Sequence, residues 1–546
     1  MDPRLPARQL APVAPAERIA ALDVVRGFAL IGILIMNVEF FNRASAENGA
    51  GIALGLSGLD LWVSYFVAYF VIGKFWTIFS LLFGMGFGVM LTRAEAAGRP
   101  FLKPYLRRIA ALAVLGALHH IFLWSGDILY SYAVAACALL VVLFVPLRYL
   151  ICAVVVISLA ALLTGKQAVV GTALASVVFC FAAAFLRSER QLRIGGASVP
   201  LVALVAAAIG VVLSVVAAGA WLMPQSAREA RLILPVVAFN VLCLSALMAK
   251  YQQPAAARPW RLGVGIYVFL FYSMCSVGAV QYYFPAPAAI SAEAKQVDAK
   301  AEQARQLQEK AADIANENRV LKSGSYREVL AMRTAEFAEH APRALGFAAI
   351  LVGLFMLGVW FVRSGIMSDT RAHLPLFRKL ALYGLPIGLG LGLLGAMIAT
   401  SHLPGADNDG WQFARNLLML GNLPACLGYV SLVIMLLHSD SPGRHLRLLA
   451  PFGRMALTNY LCQSLIASTF FFGYGFGFYG IARSWQMVYV LAVLLLQIPL
   501  SHWWLARFRY GPAEWLWRAF TYWQWPPMRL APAWHSAPGH PSARER

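Results

Sequence analysis

Apolar runs long enough to span a bilayer recur along the chain, separated by short polar breaks. They predict helices near 25–42, 75–92, 107–123, 128–146, 149–164, 168–187, 199–222, 229–249, 261–284, 345–363, 378–401, 413–437, 454–472 and 486–504. The expected fold class is therefore all-α, a polytopic transmembrane helix bundle of about fourteen spans, with a range of about twelve to fourteen. Residues 59–72, "LDLWVSYFVAYFVI", are too short and too close to Lys74 for a full span and read as an interfacial or re-entrant helix on the outer side. Residues 288–340 interrupt the apolar pattern. "ISAEAKQVDAKAEQARQLQEKAADIANENRV" is rich in helix formers with nearly cancelling charges, so it reads as an exposed outer helix or helix pair, either a solvated face or a docking arm. "SGSY" at 323–326 breaks it, and a second helix starts at Arg327.

This pattern divides the chain into a flexible basic tail (1–18), N-terminal membrane helices (19–148), additional central membrane helices (149–285), an outer helical segment (286–342), a C-terminal membrane region (343–528) and a second tail (529–546). Composition agrees: the chain is 60% hydrophobic and 13% charged, with a mean hydropathy of +0.67. The net charge of +20 does not point to nucleic acid. The arginines cluster in short breaks such as "TRAEAAGR", "LRSERQLR" and "SPGRHLR", whereas "SHLPGADNDGW" and "YFPAP" carry little positive charge. That asymmetry assigns the basic breaks and both termini to the cytoplasm. The seven cysteines are scattered through apolar stretches with no C-x-x-C pair, so no metal site is expected. Without nucleotide or metal motifs, an ATP-driven pump and a metalloenzyme are disfavoured. Residues 1–18 lack the apolar core of a cleaved signal peptide, and the run 27–41 reads as a signal anchor.

Several polar residues sit where an anchor needs none. "LDVVRGFALIGILIMN", residues 22–37, begins with Asp23 and Arg26 and ends on Asn37. Helical rise puts Asp23 and Asn37 about 21 Å apart, and Arg26 and Asn37 return to nearly one face. An interfacial ion pair with a helix–helix hydrogen bond satisfies this spacing, and so does a functional stripe. In "GALHHIFLWSGDILYSYA", His119 shares a helical face with Arg108. Asp127 follows a glycine turn and can orient the imidazole as a general base. His120 points about 100° away. "GKFWTIFSLLFGMGFG" sets Lys74 ahead of glycines suited to close helix packing. In "FGRMALTNYLCQS", Arg454 precedes Asn459, Tyr460, Gln463 and Ser464 at spacings that form one polar stripe. The C-terminal "ARFRYGPAEWLWRAFTYWQWPPMR" places Arg507, Arg509, Arg518 and Arg529 among aromatics, as a membrane interface does and as a cradle for a phosphorylated donor would.

These motifs, together with "SGSYREV" and "GPAEWLWRAFTY", resemble the YeiB-like bacterial inner-membrane proteins, a domain family of unknown function, in order and across the chain. The stretch from about 150 to 285 is longer than that family leads one to expect. The first helix also resembles the opening acid-x-x-Arg-Gly helix of a wider clan of membrane acyltransferases. The sugar O-acylating members of that clan have a histidine where this chain has Asn37, and this chain has no histidine from 38 to 118. The resemblance implies a multi-pass protein of the bacterial inner membrane that moves an acyl group from cytoplasmic acyl-CoA to a hydroxyl or amine at the outer face. Acyl-CoA is then a co-substrate rather than a resident cofactor. On that reading His119, Asp127 and Asn37 are catalytic, with Asn37 holding the oxyanion. Asp23, Arg26, Lys74, Arg454, Asn459, Tyr460, Gln463 and Arg518 bind donor or substrate. The partners are membrane lipids, acyl-CoA and a periplasmic acceptor, and a homodimer is compatible. The competing expectation is a transporter or exporter of a small or lipid-linked molecule.

Overall fold

The computed structural model describes residues 19–223, 228–284, 293–402 and 409–530. The N-terminal tail, and the C-terminal tail beyond residue 530, lie outside the described residues. In chain order the helices are α1 (Ala20–Asn37), α2 (Ser45–Asn48), α3 (Gly58–Phe66), α4 (Lys74–Ala96), α5 (Leu102–Phe122), α6 (Leu129–Phe144), α7 (Leu147–Thr164), α8 (Gln167–Arg187), α9 (Leu201–Leu222), α10 (Arg228–Tyr251), α11 (Arg258–Tyr283), α12 (Glu293–Ser323), α13 (Tyr326–Arg363), α14 (Leu374–Ile398), α15 (Trp411–Leu437), α16 (Leu449–Arg454), α17 (Ala456–Phe471), α18 (Arg483–Leu505) and α19 (Pro512–Tyr522). Every predicted span has its helix, and the chain is an all-α, multi-pass membrane bundle. Among the described residues, 11 helical segments are long and apolar enough to cross a membrane. That is fewer than expected, for a physical reason. Arg107, Arg108, His119 and His120 dilute the apolarity of α5, and α6 and α17 have only 16 residues each.

Burial separates the helices into two shells. In α1 and α13, 67% of the apolar window is buried against protein; in α7 it is 11% and in α14 17%. An outer helix that exposes leucine and valine this freely has lipid, not water, as its solvent. The inner helices approach through glycine. Gly84 of α4 lies against the backbone of Phe355, and Gly358 of α13 lies against the backbone of Leu81. The same device joins α1 to α16: Gly27 faces the Leu449 carbonyl, and Gly453 faces the Asp23 carbonyl and the Gly27 amide. Any Cβ at Gly453 would meet backbone, which cannot swing aside. Gly453→Val is expected to lower stability by at least about 1–3 kcal/mol, read as a fall in the melting temperature of the detergent-purified protein. An unchanged melt would show that the two helices part freely.

Two details depart from the sequence pattern, and a third, the helical 59–72 stretch, follows it with an added π-turn. The helix expected at 345–363 and the one expected to start at Arg327 are a single helix, α13, of 38 residues, which continues through Pro342. Its start is fixed by a capping box: the Ser325 side chain accepts from the Glu328 amide while the Glu328 carboxylate accepts from the Ser325 amide. The 59–72 stretch is helical; α3 continues as a π-turn over Val67–Val71 and swings at Gly73 (φ 85°) into α4. The basic break after α8 contains a hairpin, β1 (Gln191–Ile194) and β2 (Ala197–Pro200), antiparallel, turned by Gly195 and Gly196 at positive φ.

Candidate functional site

Close approach of Gly27 and Gly453 sets the residues beside them, Arg26 and Arg454, at one opening. There a cavity of about 350 Å³ lies between α1, α4, α5, α6, α16, α17 and α19. Six arginines line it against two carboxylates: Arg26, Arg93, Arg108, Arg454, Arg509 and Arg518 against Asp23 and Glu514. Arg26 Nη1 donates to Asp23 Oδ1 at 2.6 Å. The Arg108 guanidinium lies 4.2 Å over the Trp517 ring, whose Nε1 donates to the Arg108 carbonyl at 3.0 Å. Arg518 lies 4.8 Å over the ring of Tyr510.

Both oxygens of Glu514 are bonded to the start of α17. Oε1 accepts from the amides of Leu457 (2.7 Å) and Thr458 (3.1 Å), and Oε2 accepts from Thr458 Oγ1 (2.5 Å). Those amides belong to the first turn of α17, which has no intrahelical partner for them. Burial pushes the Glu514 carboxyl above its ordinary range, against the pull of the Thr458 bonds. Glu514→Ala is expected to cost about 2–3 kcal/mol by stranding these donors, with Glu514→Gln retaining most of the stability. Chemical denaturation of both variants checks this, and equal midpoints for Ala and Gln would contradict it.

Away from the arginines the walls turn apolar, with Ile33, Phe79, Leu82, Phe83, Leu112 and Leu129, and then Tyr132 and Tyr460. Behind Tyr460 lies His119, with ring centroids 5.1 Å apart. His119 Nδ1 is 2.8 Å from Asp127 Oδ1, and both side chains are fully buried. Asp127 Oδ2 accepts from the Tyr130 amide at 2.8 Å. A carboxylate only accepts, so this hydrogen bond places a proton on Nδ1, and in the neutral ring the lone pair is then on Nε2. Nε2 has no hydrogen-bond partner among the described residues.

The predicted residues therefore divide. Asp23, Arg26, Arg454, Tyr460 and Arg518 line the cavity, and His119 and Asp127 form one pair behind it. Asn37 is buried at the end of α1, one turn before Phe41, whose ring stacks 4.5 Å from that of Trp124; Trp124 in turn meets His119 edge-on at 6.4 Å. Asn459 and Gln463 are not brought to the cavity. Asn459 Nδ2 donates to Ser501 Oγ at 3.0 Å and Gln463 Nε2 to Gln497 Oε1 at 3.0 Å, locking α17 to α18. Lys74 opens α4 at the end opposite Arg93, is fully buried and has no partner for Nζ among the described residues. Helical rise sets it about 28 Å from Arg93. Sequence reasoning named Arg509 with the other C-terminal arginines of a phosphate cradle, and it passed over Arg93 and Glu514 as cavity residues because loop and interface charges follow from topology alone.

Residues 361–524 match the family described as "Protein of unknown function (DUF418)". The chain is 25% identical over 541 residues to the uncharacterized protein YxaH of Bacillus subtilis (strain 168), covering 95% of this chain and 98% of that protein. It is 25% identical over 519 residues to the uncharacterized protein YeiB of Escherichia coli (strain K12), covering 92% and 96%. An uncharacterized 39.9 kDa protein in the amylase 3' region of Bacillus acidopullulyticus is 36% identical over 137 residues, 25% of this chain and 37% of that one. No solved structure matches.

Proposed function

We propose that this YeiB-like multi-pass membrane protein is an acyltransferase that carries an acyl group from acyl-CoA to a hydroxyl or amine acceptor. One observation supports the reading above the others: a single cavity has an arginine cluster at one end and Tyr460, neighbour of the His119–Asp127 pair, at the other. Arginine binds phosphate bidentately, and the phosphates of CoA suit the cluster. Eleven helical steps of α5 separate Arg108 from His119, about 16 Å, a span for an extended pantetheine arm. The positive-inside pattern supports a cytoplasmic arginine end, with both termini on that side and the acceptor at the outer face.

In this mechanism the acceptor oxygen or nitrogen attacks the thioester carbon. Its proton passes to His119 Nε2, the carbonyl oxygen takes charge near the Asn37 amide, the C–S bond breaks, and the proton goes to the departing thiolate. An ester or amide and free CoA thiol result. The test is saturable binding of acetyl-CoA, and of non-reactive desulfo-CoA, to the detergent-purified protein, followed by transfer of labelled acetyl to membrane extracts. A folded protein that binds neither, and whose vesicles accumulate substrate under a proton gradient, would be an exporter instead.

A further inference from the structure

His119 and His120 leave α5 about 100° apart. The first meets Tyr460; the second meets α13, where its ring stacks on His340 with centroids 5.4 Å apart. Arg333, Glu336 and His340 fall at helical spacing on one face of α13. Arg333 is 1% exposed, anchored by Nη1 donating to the Phe122 carbonyl at 3.4 Å, with its guanidinium 5.2 Å over the Phe472 ring. His340 Nε2 lies 3.4 Å from Ser131 Oγ. Several buried polar atoms here have no partner among the described residues: Arg333 Nη2, Glu336 Oε2 and both ring nitrogens of His120.

Buried groups of this kind are normally satisfied, and leaving this many unpaired is costly. Ser125 reaches Glu336 and Tyr474 reaches Arg333; a group that donates to Glu336 Oε2 and accepts from Arg333 Nη2 would satisfy the atoms that remain. The neighbouring opposite charges disfavour an ionic ligand of either sign. A hydroxyl donates and accepts at one atom, and the faces of Phe337 and Phe472 border the cluster. We infer that Arg333, Glu336, His340 and His120 form a second binding site, on the far side of His119 from the arginine cavity, for a neutral hydroxyl-bearing group. That this group is the acyl acceptor rests on the reading proposed above; the site itself does not.

The probe is 1-O-octylglycerol, a neutral diol head on a short chain, titrated into the full-length protein in detergent and followed by tryptophan fluorescence. Saturable binding is expected, weakened about tenfold or more in Glu336→Gln and in His340→Ala, with octyl phosphate and octylammonium at least about tenfold weaker than the diol. Both substitutions spare the Arg333 anchor, and an unchanged melting temperature verifies the fold. Competition by free xylitol would assign the site to soluble polyols, and its absence to a lipid-borne head; both support the site. No saturable binding, equal binding of a charged head, or indifference to both substitutions overturns it. Loss of acetyl-CoA binding with the diol still bound would instead overturn the donor reading alone.

Discussion

On the proposed function, acyl transfer by His119→Ala is expected to fall about 10²–10⁴-fold, while acetyl-CoA binding stays close to that of the unaltered protein. The separation follows from the layout. The arginines that would hold the donor line the cavity, whereas His119 stands behind Tyr460 and offers only Nε2 to the chemistry. Asp127→Asn should act nearly as strongly without removing the ring. An amide placed to donate at Nδ1 would move the imidazole proton to Nε2, and the lone pair that accepts the acceptor's proton would be gone. Labelled-acetyl transfer, measured beside desulfo-CoA binding on the same samples, checks both variants. Turnover that survives His119→Ala would remove His119 from the mechanism.

The second large effect concerns the donor. Arg26→Ala and Arg454→Ala are each expected to weaken desulfo-CoA binding about tenfold to a hundredfold, since each removes a charge-assisted contact to phosphate. Raising the ionic strength should weaken the unaltered protein in the same direction, though less steeply than for an exposed site, because the cavity is partly shielded. Isothermal titration at low and high salt separates these terms. Equal affinities in both variants would move the phosphates away from the α1–α16 crossing.

The bundle was readable from apolar run length because in lipid each span must satisfy its own backbone. The cavity was partly readable. Asp23, Arg26, Arg454, Tyr460 and Arg518 stood out as polar groups at helix ends or inside apolar runs, and they converge. Asn459 and Gln463 stood out for the same reason but serve another end, since these two residues, four steps apart on α17, share a face turned from that of Tyr460 and meet α18. Spacing alone does not say which neighbour a face meets. Arg333, Glu336 and His340 went unread because the strongly charged stretch before them made the whole segment look solvated. The usable signal was their helical spacing combined with the continuity of α13 through Pro342.

The arginine cavity draws its walls from both ends of the chain: Arg26 comes from the first helix, Arg509 and Arg518 from the last stretch. Synthesis runs in the same order, so every membrane span can be inserted before the donor mouth exists. A ribosome-bound intermediate ending after α18 would have its bundle but lack α19, whose Glu514 ties off the first turn of α17 and whose Trp517 cradles Arg108. On the proposed reading, donor binding would then wait on the docking of α19, and a nascent chain that lacks it would not draw on a reactive thioester.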